Sequence, residues 1–189
     1  ASREKEIDAS LARLREQLGE AVLDVFAYPF GEYSRETESI LLERGLYGLA
    51  QHSGPIGRQT PSTRIPRFPI YTGGDSDARL HTALATLPLP VIGEEDTQVF
   101  FGFEALAPKH WPLRVSNAAY FRGLLRCYSA TGEALEQRWE GDRLFVSLQA
   151  MQAGRNKVNC TAPSKSENAY HWYSRLWLVA DAEERWLRK

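Results

Sequence analysis

Main-chain amide groups that could do chemistry lie in residues 26–33, whose sequence is FAYPFGEY. A short apolar strand here runs directly into a turn at Pro29 and Gly31, because proline has no N–H for a neighbouring strand and glycine permits a sharp bend. Such a turn presents N–H groups at the carboxyl edge of an α/β sheet, where ligands bind. An N–H group there can stabilise the oxyanion that forms when water attacks a carbonyl group. The alternative is an ordinary strand-to-loop turn packed with aromatic rings.

Two polar side chains, His52 and Arg67, belong to a segment rich in Pro, Gly, Ser and Thr that spans residues 51–74. Long irregular loops of this kind are uncommon in compact domains and are often functional. Histidine titrates near neutral pH and suits general acid catalysis, and an arginine could bind a carboxylate or a polysaccharide. The alternatives are a histidine that bonds to the backbone or to water, and a structural arginine.

The histidines, His52, His81, His110 and His171, are scattered along the chain. A hydrolytic metal site built from an aspartate and two histidines needs the two histidines about four or five residues apart on one loop. The sequence has no such pair, so no metal site is predicted within this chain.

The two cysteines, Cys127 and Cys160, both lie in predicted strands of the C-terminal half. Their separation does not fit a zinc ribbon, whose ligands come in close pairs. A disulfide between them would close a loop of about 33 residues and stabilise the fold by roughly 3 kcal/mol in an oxidising compartment. The alternative is two small buried thiols.

The elements that would position these residues alternate between helix and strand in the first part of the chain. Local signals predict a helix ending at Gly19, a strand over 22–28, a helix beginning at Ser34, a strand over 47–50 and a last helix over 77–87. Such a unit fits an α/β barrel or a doubly wound sheet, but it has too few strands to close a barrel of eight. The chain is therefore a fragment, or a partner supplies the rest.

From about residue 91 the pattern changes to period two, which is typical of strands. Strands are predicted over residues 98–103, 119–129, 144–150, 157–161 and 170–179. Short strands at this spacing indicate a small β-sandwich, followed by a short charged helix over residues 181–189. We therefore divide the chain into an α/β region, residues 1–87, and a β-sandwich-like domain, residues 88–189.

The composition is ordinary for a folded protein, with 43% hydrophobic and 25% charged residues. The 23 basic residues are balanced by 24 acidic ones, so the net charge of −1 provides no attraction to nucleic acid. No apolar run approaches the roughly 20 residues that cross a bilayer, so no transmembrane segment is predicted.

Three segments, residues 26–33, 48–55 and 65–69, resemble the late motifs of polysaccharide deacetylases, the NodB-homology or carbohydrate esterase family four fold. The first matches the Pro-Tyr-Gly part of the third family motif with Phe in place of Tyr, and the family's usual arginine falls at Ala27. The resemblance implies a fold class of α/β followed by all-β, in which a partial (β/α) deacetylase barrel precedes a C-terminal β-sandwich.

The resemblance also implies roles for individual residues. The main-chain N–H of Phe30 would stabilise the oxyanion. His52 would be the general acid, although it lies one residue further from Leu49 than the family's Leu-x-His motif requires. The residues implied to bind substrate are Tyr28, Pro29, Phe30, Gly31 and Arg67.

By this resemblance, the chain is the C-terminal portion of a bacterial hydrolase that cleaves non-peptide amide bonds and so removes N-acetyl groups from an amino-sugar polymer. The early family motifs, which hold the metal and the catalytic base, have no counterpart here and would lie in the missing N-terminal half of the same protein. That half and the polysaccharide are the expected partners. The complete enzyme would bind zinc or a similar divalent metal, whereas this chain alone would bind none and be inactive. The expected location is periplasmic or extracellular.

Two other interpretations are open. The chain could be a non-catalytic carbohydrate-binding or assembly module, whose exposed Trp and Tyr side chains stack on sugar rings. It could instead belong to an unrelated esterase or glycosidase, but the sequence has no Gly-x-Ser-x-Gly elbow and Glu32 has no evident carboxylate partner. Residues 155–164 and 170–177 look like the β domain that follows the deacetylase in some bacterial members, although core packing would also explain their aromatic residues.

Overall fold

The computed structural model of the chain describes residues 2–70, 73, 75–94, 98–102, 108–116 and 119–182. The helices are α1 (Arg3–Leu18), α2 (Arg35–Glu43) and α3 (Ser76–Leu84). The strands are β1 (Val25–Ala27), β2 (Tyr47–Leu49), β3 (Thr86–Pro88), β4 (Val91–Glu94), β5 (Phe100–Phe101), β6 (His110–Val115), β7 (Arg126–Tyr128), β8 (Gln137–Glu140), β9 (Arg143–Ser147), β10 (Gly154–Pro163) and β11 (Tyr170–Val179). The predicted strand end at Phe103 and most of the predicted terminal helix, residues 183–189, lie outside the described residues.

Most of the strands form a β-sandwich, as the alternating pattern of the C-terminal half predicts. One sheet has the order β3-β11-β10-β7, with β5 also paired to β11, and the other has the order β4-β6-β9-β8. Because successive side chains of a strand point to opposite faces, Leu144 and Val146 of β9 both point inward. They share one apolar core with Trp111 of β6 and with Val158 and Trp177 of the facing sheet.

A disulfide joins two neighbouring strands of the first of these sheets. Cys127 of β7 and Cys160 of β10 are direct cross-strand partners, and their sulfur atoms are bonded. Both side chains are fully buried in the sandwich core. The predicted disulfide is therefore confirmed, and such bonds are typical of proteins that fold in oxidising compartments.

The fold class predicted for the first part of the chain is wrong. Within the described residues, β1 and β2 form a separate two-stranded parallel sheet. The next strand, β3, does not extend that pair. It pairs in parallel with β11 of the sandwich, where Tyr170 lies opposite Thr86. The described strands therefore form no partial (β/α) deacetylase barrel, because the sandwich edge, and not the β1–β2 pair, receives the backbone hydrogen bonds of β3.

The first part of the chain packs on the outer face of the sandwich. Strand β11 is buried on both sides: Trp177 and Val179 belong to the sandwich core, whereas Leu176 and Leu178 belong to a second core with residues of α1, α2 and β1–β2. Leu41 of α2 is fully buried there. The two regions thus share β11, and the predicted division between residues 87 and 88 falls inside β3.

Candidate functional site

The turn singled out in the sequence follows β1 directly. Residues Pro29–Gly31 form a single 3₁₀ turn. Phe30 has φ of 56°, the one non-glycine residue in the left-handed region among those described, and Gly31 has φ of 70°. A left-handed conformation costs a residue with a side chain roughly 1–2 kcal/mol. Such conformations persist where the surroundings impose them, and they cluster at functional sites.

Contacts from two other parts of the fold hold this turn. The Arg155 guanidinium, at the start of β10, donates a hydrogen bond to the Phe30 carbonyl, and its Nε lies 3.7 Å from Oε1 of Glu32. On the other side, a β-carbon on Gly31 would lie 2.4 Å from Cβ of Gln51. The sandwich and the loop after β2 therefore fix the turn together.

Beside the turn lies a cavity of about 430 Å³, here named the turn groove. Tyr28, Pro29 and Phe30 line it, together with residues of α1 and α2, and Phe30 is 54% exposed. Gly31 is buried beneath and does not line it. The Tyr28 hydroxyl donates a hydrogen bond of 2.7 Å to the Thr63 carbonyl, and burial raises the pKa of Tyr28. Tyr28 therefore anchors the wall of the groove as an uncharged phenol.

His52 lies in a different cavity. This cavity, here named the loop cavity, measures about 330 Å³ and lies between the loop of residues 52–66 and strands β3, β4 and β11. His52 lines the loop cavity and Phe30 lines the turn groove, so the structure does not bring the two predicted catalytic residues into one cavity. Tyr33 lines both.

The surroundings of His52 determine its charge. Burial, together with the positive charges of Arg64, Arg175 and Lys157, lowers the pKa of His52 to about 4. Its Nδ1 atom is buried without a hydrogen-bond partner. At neutral pH the imidazole is therefore uncharged, whereas a general acid is most effective with a pKa near the operating pH. A catalytic role for His52 stays a prediction.

Arg67 forms hydrogen bonds to two nearby main-chain carbonyl groups. Its Nε donates a hydrogen bond of 2.7 Å to the Ala50 carbonyl, and its main-chain N–H donates one of 3.0 Å to the His52 carbonyl. Arg67 lines neither the turn groove nor the loop cavity. Both bonds fasten the loop to the end of β2, and substrate binding by Arg67 stays a prediction.

Four charged side chains that the sequence analysis did not single out form one network, here named the ion cluster, and three of the four line the loop cavity. Its members are Glu38, Arg64, Glu94 and Arg175. Nε of Arg64 lies 2.9 Å from Oε1 of Glu38, and its Nη1 lies 3.5 Å from Oε2 of Glu94. Nη1 of Arg175 donates a hydrogen bond of 2.9 Å to the same Glu94 oxygen.

The ion cluster is buried. Each of its side chains is at most 16% exposed, and burial raises the pKa of Glu38. Oε1 of Glu94 is buried without a hydrogen-bond partner. One signal in the sequence could have pointed to this arrangement, since Arg175 is a charged residue inside the otherwise apolar second half of β11.

The described residues do not fit the zinc ion that the family resemblance implies. Among them, no group of three or more His, Cys, Asp or Glu side chains is arranged to hold a metal ion. His171, for example, is bound through Nδ1 to the Pro88 carbonyl at 2.8 Å. No helix in the same residues is long and apolar enough to span a membrane.

Comparisons with known proteins give little guidance. No protein-family model matches this chain, and no curated protein matches it. The crystal structure of CopC from Methylosinus trichosporium OB3b superposes with a TM-score of 0.35 and 13% identity, over 48% of this chain and 91% of CopC. A crystal structure of an engineered protein superposes with a TM-score of 0.33 and 12% identity, over 89% of this chain and 51% of the other. Both scores are too low to carry an argument.

Proposed function

We propose that this chain is the C-terminal portion of a metal-dependent polysaccharide deacetylase, which hydrolyses the N-acetyl groups of an amino-sugar polymer. The observation that carries the proposal is the turn at residues 29–31. It follows a parallel strand directly, and ligands bind at the carboxyl ends of such strands. Phe30 is held there in a left-handed conformation that its own side chain disfavours.

The parallel pair that carries this turn gives a second argument. Parallel sheets are normally covered on both faces, yet Val25 and Tyr47, opposite each other in β1 and β2, are 40% and 52% exposed. In the described part of the chain β1 has one strand neighbour, β2. In this proposal the N-terminal half of the same protein would provide an additional strand beside β1 and a cover over this face.

In this proposal the chain contributes the wall and the oxyanion donor of the site. The main-chain N–H of Phe30 stabilises the negative charge on the carbonyl oxygen of the acetyl group as water attacks. Tyr28 and Pro29 bound the groove, and the exposed ring of Phe30 packs against a sugar unit. Arg155 positions the turn through the Phe30 carbonyl.

The metal and the catalytic base are assigned to the N-terminal half of the same protein, because the described residues do not fit a metal ion. The protein is exported in this proposal, to the periplasm or the cell exterior, where its polymeric substrate would lie. The buried Cys127–Cys160 disulfide supports that location.

Release of acetate from an N-acetylglucosamine pentamer by the full-length gene product tests the proposal. We expect release that a chelator abolishes, and a Gly31→Ala variant that is about 10²-fold slower because the turn no longer aims its amide. Gly45→Ala is the matched control, since Gly45 also has positive φ but has open space around it. A folded, metal-loaded full-length protein that releases no acetate would contradict the proposal.

A further inference from the structure

We propose that the loop cavity is a saccharide-binding site, separate from the turn groove, which holds one or two sugar units of an uncharged carbohydrate. Its volume of about 330 Å³ lies at the lower end of the range of roughly 300–1,000 Å³ for small-molecule sites. The loop of residues 52–66 closes one side of it, and strands β3, β4 and β11 close the other. The inference does not depend on the proposed deacetylase activity, because binding here needs neither the turn nor a metal ion.

Polar atoms on the walls lack partners within the protein. Two residues that line the cavity each have a buried polar atom without a hydrogen-bond partner: Nδ1 of His52 and Oε1 of Glu94. The side chain of Glu94 is 6% exposed. Buried polar groups are normally paired, so two unpaired groups on the walls of one cavity indicate that a ligand supplies partners.

The types of these groups select the ligand. Arg64 and Arg175 are balanced by Glu38 and Glu94 within the ion cluster, so the cluster has no net charge with which to hold a phosphate or an acidic peptide. Arg58 and Arg64 also line the cavity and repel a simple cation. A neutral molecule with hydroxyl groups fits both kinds of wall, because each hydroxyl can donate to Glu94 and accept from an arginine.

The remaining walls are apolar and rigid. Trp172 and the rings of Pro66, Pro88 and Pro90 line the cavity, and surfaces of this kind pack against the C–H face of a sugar ring. The loop lies close to β3, since a β-carbon on Gly57 would lie 2.7 Å from Cβ of Pro88. The cavity is therefore formed before a ligand arrives, which lowers the entropic cost of binding.

Calorimetric titration of this chain with an N-acetylglucosamine tetramer and a glucose tetramer tests the inference, with inorganic phosphate and spermidine as charged probes. We expect a neutral tetramer to bind and to perturb the Trp172 indole signal in NMR spectra. Binding by phosphate or spermidine, but by neither tetramer, would overturn the inference, as would the absence of all binding at 10 mM ligand, a concentration on the order of weak sugar affinities.

Variants at exposed positions locate the site without risk to the fold. Ile92 lines the cavity and is 48% exposed; Ile92→Arg should weaken tetramer binding at least tenfold by filling the cavity. The matched control is Ile56→Arg, because Ile56 belongs to the same loop, is 65% exposed and does not line the cavity. Arg58→Ala should weaken binding several-fold.

Measurements on two variants distinguish saccharide binding in the loop cavity from deacetylation at the turn groove. Gly31→Ala should slow acetate release by the full-length protein about 10²-fold and leave tetramer binding to this chain unchanged. If Ile92→Arg and Ile56→Arg bind the tetramer equally well, the loop cavity is not the binding site and the inference falls.

Discussion

Between the two sheets of the sandwich the interior is dominated by apolar side chains, and it contains the disulfide that joins β7 and β10 of one sheet. Between the sandwich and the first part of the chain, tyrosines join the aliphatic side chains, and the ion cluster lies alongside. Apolar burial stabilises a fold by roughly 25 cal/mol per Å². Buried ion pairs contribute little net stability, because desolvation of the charges offsets their attraction.

The sandwich interior therefore accounts for most of the stability, whereas the ion cluster at the second interface has another purpose. A well-packed apolar substitute for a buried ion pair is often equally stable or more so. Charges retained beside a cavity are therefore better explained by a ligand or by specificity of docking than by stability.

Removal of one member of the ion cluster should have the largest effect. Arg175→Met leaves the Glu94 carboxylate buried without its nearer arginine, which is 2.9 Å away, so we expect a loss of about 3–5 kcal/mol in urea unfolding. Arg114→Met is the control, because Arg114 and Asp142 form an ion pair that is half exposed, worth about 0–1 kcal/mol. If the double variant Arg175→Met/Glu94→Gln does not recover stability relative to Arg175→Met, the cost is not that of an unpaired charge.

Loss of the disulfide should come next. The bond closes a loop of 33 residues, which in the chain-entropy model stabilises the fold by about 3–4 kcal/mol. We expect the double variant Cys127→Ala/Cys160→Ala to lower the free energy of unfolding by this amount. The tryptophans of the described residues, Trp111, Trp139, Trp172 and Trp177, lie in strands of the sandwich, so their fluorescence reports on the sandwich, whereas ellipticity at 222 nm reports on the helices. Because the two cores share β11, both signals should shift together. A shift in fluorescence alone would mean that the regions unfold independently.

His52 should make the stability depend on pH. Its pKa falls from 6.5 to about 4 on folding, so between these values the unfolded chain binds a proton that the folded chain does not. The contribution of His52 to the free energy of unfolding is therefore fully present above pH 6.5. It is lost as the pH falls from 6.5 toward 4, and the loss is on the order of 3 kcal/mol.

The variant His52→Gln isolates this contribution. The raised pKa of Glu38 acts in the opposite direction, so the difference between wild type and variant is the quantity to measure. That difference should be flat above pH 7 and should change steadily between pH 6 and 4. A constant difference over the whole range would contradict a neutral, buried His52.

The last prediction concerns the difference in stability between alanine variants at two glycines. Gly31 and Gly45 both have positive φ, 70° and 66°, so alanine costs roughly 1–2 kcal/mol at either. Gly31→Ala also brings Cβ to 2.4 Å from Cβ of Gln51, whereas Gly45 has no atom within 4 Å of that position. We expect Gly31→Ala to be the more destabilising by about 1–3 kcal/mol in thermal unfolding. Equal losses of stability in the two variants would mean that Gln51, in the loop after β2, does not pack closely against Gly31.

Features set by local chemistry could be predicted from the sequence. Gly19 caps the C-terminus of α1 with positive φ, and the Ser34 hydroxyl accepts a hydrogen bond from the Thr37 N–H at the start of α2. The disulfide was predictable because both cysteines fall in strands of the same region. These signals act within a few residues, or reflect the chemistry of a single side-chain type.

Features set by long-range pairing could not be predicted. The partner of β3 is β11, more than 80 residues further on, and nothing in Thr86–Pro88 specifies it. Strand β6 was missed because Pro112, which cannot donate to a ladder, nevertheless lies opposite Phe145 inside the sheet. The ion cluster comes from distant segments of the chain, so only the fold brings its charges together.

Strand β11 has one more consequence, for the changes that this protein can tolerate. Trp177 and Leu178 are neighbours in sequence but belong to different cores. Deletion of a single residue before them would turn each toward the opposite side and disrupt both interiors at once, because side chains alternate along a strand. A point substitution on one side leaves the other undisturbed, so this segment can vary in residue type but not in length.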